Sequence, residues 1–159
     1  SKLQASLARA GRGGQQLAVM MLDVDHFKKV NDTFGHPAGD TVLRQVSRAL
    51  DESRRVNDAV GRFGGEEFLI VLENTDENGA RLVADRIRQK IAGLNLPSQK
   101  GPFRVTASIG FAMAPADGEK TERLIERADQ ALYRAKENGR NRVLAYKDQL
   151  NDGPAVVAA

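Results

Sequence analysis

The chain alternates between short apolar runs and stretches in which apolar residues recur every three or four positions. Residues 16–25, QLAVMMLDVD, are a continuous apolar run that ends in acids, which predicts a strand buried on both faces. A helical pattern covers 26–35, and we expect Asp25 to cap its start. A second helix is predicted over 39–54, where apolar residues four positions apart form one stripe.

The remainder of the chain adds a hairpin and two further pairs of helix and strand. Residues 60–63 and 68–72 have the composition of strands, and the Gly-Gly-Glu-Glu segment between them is typical of a turn. The pattern then predicts a helix over 77–94 that ends at Gly93, a strand over 103–114, a helix over 121–141 that stops at Gly139 and a strand over 142–147. Because the hairpin interrupts the alternation of helices and strands, we predict one mixed sheet with helices packed on it.

Composition and charge narrow the class of protein without identifying it. A length of 159 residues with 41% hydrophobic residues suits one domain with its own core. No apolar run approaches the roughly 20 residues that cross a bilayer, so we expect a soluble domain. Since the chain has no cysteine, any metal must be bound by oxygen or histidine. A net charge of +3 is low for a nucleic-acid binder and compatible with a polyphosphate ligand.

Both ends of the sequence suggest a piece of a longer protein. The chain opens at Ser1 without a methionine and is already in a helical pattern, with Leu3 and Leu7 four apart. At the other end, a Gly-Pro pair is followed by small residues that have no periodic partners. We expect one domain over 1–148, cut from a longer regulated protein, and a flexible tail over 149–159.

Acidic residues gather where the first predicted strand ends and where the hairpin turns. Asp23 and Asp25 lie two apart, so in an extended chain both side chains point to the same side. A lone carboxylate in such a place is more often a helix cap or a solvated strand end. The two glycines before Glu66 allow positive φ and remove side-chain bulk, so the turn can bring its backbone and Glu66 close to a ligand. If the hairpin lies beside the first strand, Asp23 and Glu66 converge, and their like charges require a hard cation such as Mg²⁺ or Mn²⁺.

Basic residues that suit phosphate groups stand near this strand end and in the last long helix. Lys28 lies in the first turn of a predicted helix, where free backbone N–H groups also attract anions. Lys136 and Arg140 are four apart and are expected on one face of the last long helix. Each alone is an ordinary surface charge, but beside an acidic metal centre they suggest a nucleoside triphosphate site.

Four motifs stand in a characteristic order and spacing along the chain. They are DVDHFKKVNDTFGHPAGD at 23–40, RFGGEEF at 62–68, SIGFA at 108–112 and ADQALYRAKENGRNRV at 128–143. Together they resemble the GGDEF domain of bacterial diguanylate cyclases, over about residues 3–147. The resemblance implies an α+β, palm-like fold, which is nucleotide cyclase-like with a ferredoxin-like core. Its mixed, mostly antiparallel sheet of about five strands is flanked by helices.

The resemblance also implies a catalytic centre that binds two divalent ions, Mg²⁺ or Mn²⁺, per active site. Asp23 and Glu66 would be the catalytic residues and the principal metal ligands. The main-chain carbonyl of Val24 would be a further ligand, and Glu67 would assist. Glu66 stands where the commoner signature has an aspartate. The positions implied to bind the phosphate groups are Phe27, Lys28, Lys136 and Arg140.

Asn31 and Asp40 match the positions that recognise guanine in the family. Guanine presents an N1–H and an exocyclic amino group on one edge, and this pair of donors suits a carboxylate. Adenine has neither donor there, so a buried carboxylate would be left unpaired and would reject it. The alternative is that both residues serve as helix caps, since Asn and Asp are common at helix ends.

The implied reaction joins two GTP molecules into cyclic di-GMP and releases two pyrophosphates. Because each domain binds one GTP, two domains must face each other, and a homodimer is expected. A sensor or receiver domain outside this sequence would pair the chains, so we expect the activity of this domain alone to depend on its concentration. The bacterial cytoplasm is the expected location, whether or not another segment anchors the full-length protein to a membrane.

The segment Arg55-Val56-Asn57-Asp58 has the spacing, relative to the signature, of the family's product-inhibition motif, Arg-x-x-Asp. Arg55 would bind a phosphate or a guanine edge of cyclic di-GMP, and Asp58 would accept hydrogen bonds from guanine. Arg86 resembles the second arginine of such a site, supplied by a neighbouring domain. Taken alone, an arginine and an aspartate three apart are usually an exposed ion pair at a helix end.

Two other functions are compatible with these motifs. A non-catalytic cyclic di-GMP receptor would need only Arg55 and Asp58, but such relatives typically lose signature acids that this chain keeps. A nucleic-acid polymerase palm shares the two-metal chemistry. Aromatic residues are 5% of the chain and none is Trp, which argues against a stacking platform for a template. We therefore expect no nucleic-acid partner and no membrane contact by this domain.

Overall fold

The strands and helices follow the order that the sequence predicts. The computed structural model describes residues 4–6, 8, 9 and 15–151. The elements are β1 (Leu17–Val24), α1 (Phe27–Phe34), α2 (His36–Ser53), β2 (Ala59–Arg62), β3 (Glu67–Glu73), α3 (Glu77–Ala92), β4 (Ala107–Ala114), α4 (Thr121–Glu137), β5 (Val143–Ala145) and α5 (Tyr146–Asn151). Residues 4–6, 8 and 9 are also helical, whereas Leu3 and Leu7 lie outside the described residues. Within the described part of the chain, no helix is long and apolar enough to span a bilayer.

Five strands form one sheet in the order β2-β3-β1-β4-β5. Among these described strands, the β4–β5 pair is parallel and the other three pairs are antiparallel. This confirms the predicted α+β palm-like architecture, with a mixed, mostly antiparallel sheet of five strands flanked by helices. The hairpin of β2 and β3 lies beside β1, which is the condition for the acids of the two motifs to converge.

β1 is the central strand, and helices cover both of its faces. All eight residues of β1 are buried. Met20 packs in a cluster with residues of α2 and α3, including Val46 and Ile87. Met21 packs on the other face with residues of α4, including Leu132. Because successive side chains enter two different cores, the strand has a continuous apolar sequence instead of an alternating one.

The strand predicted over 103–114 is shorter than its sequence pattern indicates. It begins at Ala107, so the first four predicted residues are not part of it. Phe103 instead pairs with Leu96 as an isolated bridge and stacks on Phe34, with 4.3 Å between the ring centroids. The alternating pattern of this stretch therefore reflects packing of a loop on α1 as well as a strand.

The strand predicted over 142–147 ends at Ala145, because the chain turns there into α5. The Asp148 carboxylate accepts a hydrogen bond from the Ala145 N–H at 2.9 Å and so satisfies a backbone donor at the start of this helix. α5 continues to Asn151. The rest of the predicted tail, 152–159, lies outside the described residues.

Candidate active site

The acidic ends of β1 and β3 meet at one end of the central strands. Asp23 lies directly opposite Glu67 in the antiparallel β1–β3 pair, so both side chains share the face that α4 covers. Glu66, the last residue of the turn, accepts a backbone hydrogen bond from the Val24 N–H at 3.4 Å. The structure thus brings together the four positions that the sequence suggests for a metal: Asp23, Val24, Glu66 and Glu67.

Burial and mutual repulsion disfavour the ionised forms of these carboxylates. Burial raises the pKa of Asp23, and the nearby ammonium of Lys136, which contacts Asp23 Oδ2, opposes the rise. Burial, followed by the charge of Asp23, also raises the pKa values of Glu66 and Glu67. A cation among these three carboxylates would relieve the repulsion, as Lys136 already does in part.

The donor set suits a hard divalent cation. Carboxylates and a main-chain carbonyl are oxygen ligands, which Mg²⁺ and Mn²⁺ prefer. In the part of the chain that the structure describes, no group of three or more His, Cys, Asp or Glu side chains has the spacing of a preformed metal cage. Mg²⁺ commonly binds through one or two carboxylates and completes its coordination with water and substrate phosphate. The residues present therefore fit a divalent ion that is bound together with a polyphosphate.

The Gly-Gly turn leaves open space beside Glu66. Neither Gly64 nor Gly65 adopts the positive φ that glycine allows, so the absence of side-chain bulk is the property that the turn uses. A Cβ added to Gly65 would meet no atom within 4 Å, so packing inside the chain does not require glycine there. Arg62, which the sequence analysis missed, holds the turn by donating hydrogen bonds to the carbonyls of both glycines. The open side of the turn is available to a ligand.

α1 begins without a side-chain cap, contrary to the prediction for Asp25. The Asp25 carboxylate instead accepts hydrogen bonds from Thr106 Oγ1 at 2.6 Å and Ser108 Oγ at 2.7 Å. The reason is strand alternation, which places residue 25 on the same face as Asp23 and away from the core on which α1 packs. Phe27 is half-buried against that core, whereas Lys28 is exposed in the uncapped first turn.

Lys136 and Arg140 do not share a helix face, so this prediction is wrong. α4 ends at Glu137, and the next residues turn through left-handed conformations, with φ of 118° at Gly139 and 62° at Arg140. Both cations nevertheless act on the same carboxylate. Lys136 forms an ion pair with Asp23, and the charge of Arg140 also opposes the rise in the pKa of Asp23.

Asp40 lines a groove between α2 and the edge strand β2, and Asn31 lies near it. Because α2 begins at His36, Asp40 is in its second turn, and the alternative that it caps this helix is wrong. The exposed Asp40 side chain lines a groove of about 780 Å³ together with Arg62. A Cβ on Gly39 would lie 1.9 Å from Asn31 Oδ1, so only glycine lets the Asn31 amide occupy this position. Sequence reasoning missed Gly39, and a glycine inside a predicted helix is the signal that could have revealed it.

Arg55, Asp58 and Arg86 line one cavity of about 320 Å³. The buried Asp58 carboxylate accepts hydrogen bonds from the Arg55 N–H at 2.9 Å and the Arg55 guanidinium at 3.2 Å. Arg55 also donates to Thr75 Oγ1 at 2.6 Å, which fixes its guanidinium beside the end of β3. One chain thus brings all three residues to this cavity, and the supply of Arg86 by a neighbouring domain stays a prediction. It lies at the Glu73 end of β3, opposite the acidic cluster.

Comparison with known proteins agrees with these motifs. The profile of the family described as "Diguanylate cyclase, GGDEF domain" matches residues 1–142. The chain is 45% identical over 145 residues to diguanylate cyclase DosC of Escherichia coli K12. That match covers 91% of this chain and 31% of DosC, so the chain spans about a third of that relative's length.

Two solved structures share both the fold and much of the sequence. The active GGEEF domain of a diguanylate cyclase from Vibrio cholerae has a TM-score of 0.83 at 38% identity, covering 89% of this chain and 90% of that domain. The GGDEF domain of DgcB from Caulobacter crescentus, solved in complex with c-di-GMP, has a TM-score of 0.84 at 33% identity. That alignment covers 92% of this chain and 86% of the DgcB domain.

Proposed function

Because this chain belongs to the GGDEF family of diguanylate cyclase domains, we propose that it joins two GTP molecules into cyclic di-GMP and releases two pyrophosphates. One observation carries the proposal. The acidic cluster of Asp23, Glu66 and Glu67 faces the cations Lys136 and Arg140 at one end of the sheet. This arrangement suits a metal-bound triphosphate, because the carboxylates can bind the metal ions and the basic side chains can bind the phosphate oxygens.

Two Mg²⁺ or Mn²⁺ ions would be bound by the carboxylates of Asp23, Glu66 and Glu67 and by the main-chain carbonyl of Val24. Divalent ions at such a place neutralise phosphate charge and favour ionisation of the attacking hydroxyl. The raised pKa values of the three carboxylates support this role, because burial and then repulsion by neighbouring acids make their ionised forms costly, and a bound cation offsets that cost.

The basic residues would hold the triphosphate in the orientation that the reaction requires. Lys28 and the N–H groups at the start of α1, around Phe27, would bind the β- and γ-phosphates from one side. Lys136 and Arg140 would bind them from the other side and stabilise the negative charge on the leaving pyrophosphate. Positioning of this kind lowers the barrier by aligning the scissile Pα–O bond with the attacking oxygen.

Bond formation takes place between the 3′-oxygen of one GTP and the α-phosphorus of the other. As that bond forms, the bond from the α-phosphorus to the bridging oxygen of the pyrophosphate breaks, and the pyrophosphate leaves with the electron pair. Glu66 would accept the proton of the 3′-hydroxyl, because its carboxylate lies beside the place where that hydroxyl would be ionised. Two such steps, one in each direction, close the ring.

Guanine would be recognised in the groove beside α2. The Asp40 carboxylate would accept hydrogen bonds from the guanine N1–H and amino group, and Asn31 would contact the same edge. Adenine offers no donors at these two positions, so ATP would lack these hydrogen bonds and bind more weakly. Because Asp40 is exposed and not buried as the sequence argument assumed, water can solvate its unpaired carboxylate and the discrimination is smaller. Gly39 supports this recognition because it leaves room for the Asn31 amide.

A turnover assay tests the proposal directly. We expect GTP with Mg²⁺ to give cyclic di-GMP and pyrophosphate, identified by mass spectrometry, and ATP to give no cyclic product. Because two GTP-loaded domains must meet in a homodimer, specific activity should fall as the protein is diluted. Cyclic di-GMP binding without turnover would instead favour a receptor, and retardation of a primed template in a gel would favour a polymerase palm.

Arg55→Ala should weaken the binding of cyclic di-GMP, which we propose inhibits the enzyme at the Arg55–Asp58–Arg86 cavity. Loss of a charge-assisted hydrogen bond costs about 1.5–3 kcal/mol, so we expect at least a tenfold loss of affinity by calorimetry. GTP turnover at low product concentration should stay unchanged, because the cavity lies away from the acidic cluster. Arg123→Ala, which removes an exposed arginine on the opposite face of the sheet, is the control. Unchanged affinity in Arg55→Ala would refute the inhibitory site.

A further inference from the structure

The turn that presents Arg140 has an unusual backbone. Three consecutive residues have positive φ: 118° at Gly139, 62° at Arg140 and 48° at Asn141. Non-glycine residues rarely adopt this region, and each costs of order 1 kcal/mol or more unless the surroundings hold it. Something must therefore fix the turn in this shape.

The Asp25 carboxylate is the buried group that holds it. Asp25 is 4% exposed, and its Oδ2 accepts a hydrogen bond from the Asn141 N–H at 3.0 Å. The same carboxylate is anchored by the hydroxyls of Thr106, which directly precedes β4, and of Ser108 in β4. Three donors thus converge on one carboxylate, which ties the turn to the end of the central sheet.

A residue of α3 makes a second contact that supports the turn at residues 139–141. The guanidinium of Arg88 donates a hydrogen bond to Asn141 Oδ1 at 2.8 Å. Arg140 lies between the anchored Asn141 and the end of α4, where its own N–H donates to the Ala135 carbonyl at 3.0 Å. Hydrogen bonds on both sides thus fix the backbone that presents the exposed Arg140 side chain, whose charge opposes the rise in the pKa of Asp23.

We infer that Asp25 is a positioning residue that acts through Arg140 on the triphosphate of the bound nucleotide. The inference rests on the proposed function, because it assigns Arg140 to the triphosphate. Asp25 is not a metal ligand in this assignment, since both of its oxygens already accept hydrogen bonds from β4 and the turn. Its neighbour two residues earlier, Asp23, faces the cations instead.

Calorimetry with 3′-deoxy-GTP, which lacks the attacking hydroxyl, measures binding without turnover, and GMP serves as a ligand without the triphosphate. We expect Asp25→Ala to lower the affinity for 3′-deoxy-GTP about tenfold and that for GMP less than twofold. Asp25→Asn keeps an acceptor for the Asn141 N–H and should stay within about threefold of the unmodified protein. In an Arg140→Ala background, Asp25→Ala should have little further effect, since residues that act through one another are not additive.

The controls separate a positioning role from a merely structural one. Ser108→Ala removes one of the two hydroxyls that anchor Asp25 but keeps the Asn141 contact, so it should lose less affinity for 3′-deoxy-GTP than Asp25→Ala. If Asp25→Ala does not fold, Asn141→Val and Asn141→Gly provide the test. Both variants lose the Arg88 contact, but valine also opposes positive φ and should lose clearly more affinity than glycine.

Three results would each overturn this inference and leave the proposed function intact. They are an equal loss of affinity for GMP and 3′-deoxy-GTP in Asp25→Ala, additive losses of affinity for Asp25→Ala and Arg140→Ala, and a loss of affinity in Asp25→Asn as large as that in Asp25→Ala. The last of these would instead indicate a metal ligand. If the unmodified protein binds no 3′-deoxy-GTP, the proposed function fails and this inference fails with it.

Discussion

Glu66→Gln should lower the rate of cyclic di-GMP synthesis by about 10²–10⁴-fold, the range that a positioned general base contributes. The amide keeps the shape of the side chain but removes its negative charge and its ability to accept the 3′-hydroxyl proton. Loss of a metal ligand adds to this effect. The measurement is the initial rate of cyclic di-GMP formation at saturating GTP and Mg²⁺, compared with that of Glu126→Gln, an exposed acid on α4.

Glu66→Gln should increase the stability of the folded protein or leave it unchanged, although it lowers the activity. Burial and the charge of Asp23 raise the pKa of Glu66, so its ionised form is less stable in the folded protein than in the unfolded chain. Above the raised pKa the charge therefore opposes folding, and the neutral amide removes that opposition. Without metal at neutral pH, we expect a melting temperature equal to or above that of the unmodified protein. Synthesis within tenfold of normal, or a lower melting temperature that accounts for lost activity, would argue against the catalytic assignment.

Much of this site could be predicted because its acids are fixed by strand ends. An apolar strand that ends at Asp23 and a hairpin that turns at Glu66 meet as soon as the hairpin pairs beside β1, and the β1–β3 register does this. Residue spacing placed Asp23 near the end of one strand and Glu66 directly before another, and their convergence then depended on the hairpin lying beside β1. The same reasoning could not establish the three-dimensional order of the strands, which depends on packing between distant segments.

The wrong predictions concern residues that lie just beyond the end of a regular helix or strand. Lys136 and Arg140 have helical spacing, but the helix ends at Glu137, and a left-handed turn then carries Arg140 to its place. That turn depends on a hydrogen bond to Asp25, which is 116 positions away from Asn141 along the chain. Contacts between residues so far apart leave no periodic signal in the sequence. The role of Asp25 as a cap was predicted from local spacing, and tertiary contacts decided otherwise.

Close approach of backbones is equally hidden from sequence patterns, and Gly110 in the SIGFA motif is the clearest case. A Cβ at this position would lie 2.1 Å from the Leu132 N and 2.5 Å from the Ala128 carbonyl oxygen. Both are main-chain atoms of α4, so no side chain can rotate away to make room. Glycine at this position therefore sets the distance between β4 and α4, the helix that carries Lys136.

Gly110→Ala should accordingly be among the most destabilising single substitutions in the domain. Overpacking a well-filled core usually costs about 1–3 kcal/mol, and backbone contacts this close place the change at the upper end or beyond. We expect a clearly lower urea midpoint with an unchanged slope, and reduced cyclic di-GMP synthesis even where the protein remains folded, because α4 must move away from Asp23. Gly61→Ala is the matched control, since its Cβ would meet no atom within 4 Å. Equal urea midpoints for the two variants would show that the approach of α4 to the sheet is not fixed by this glycine.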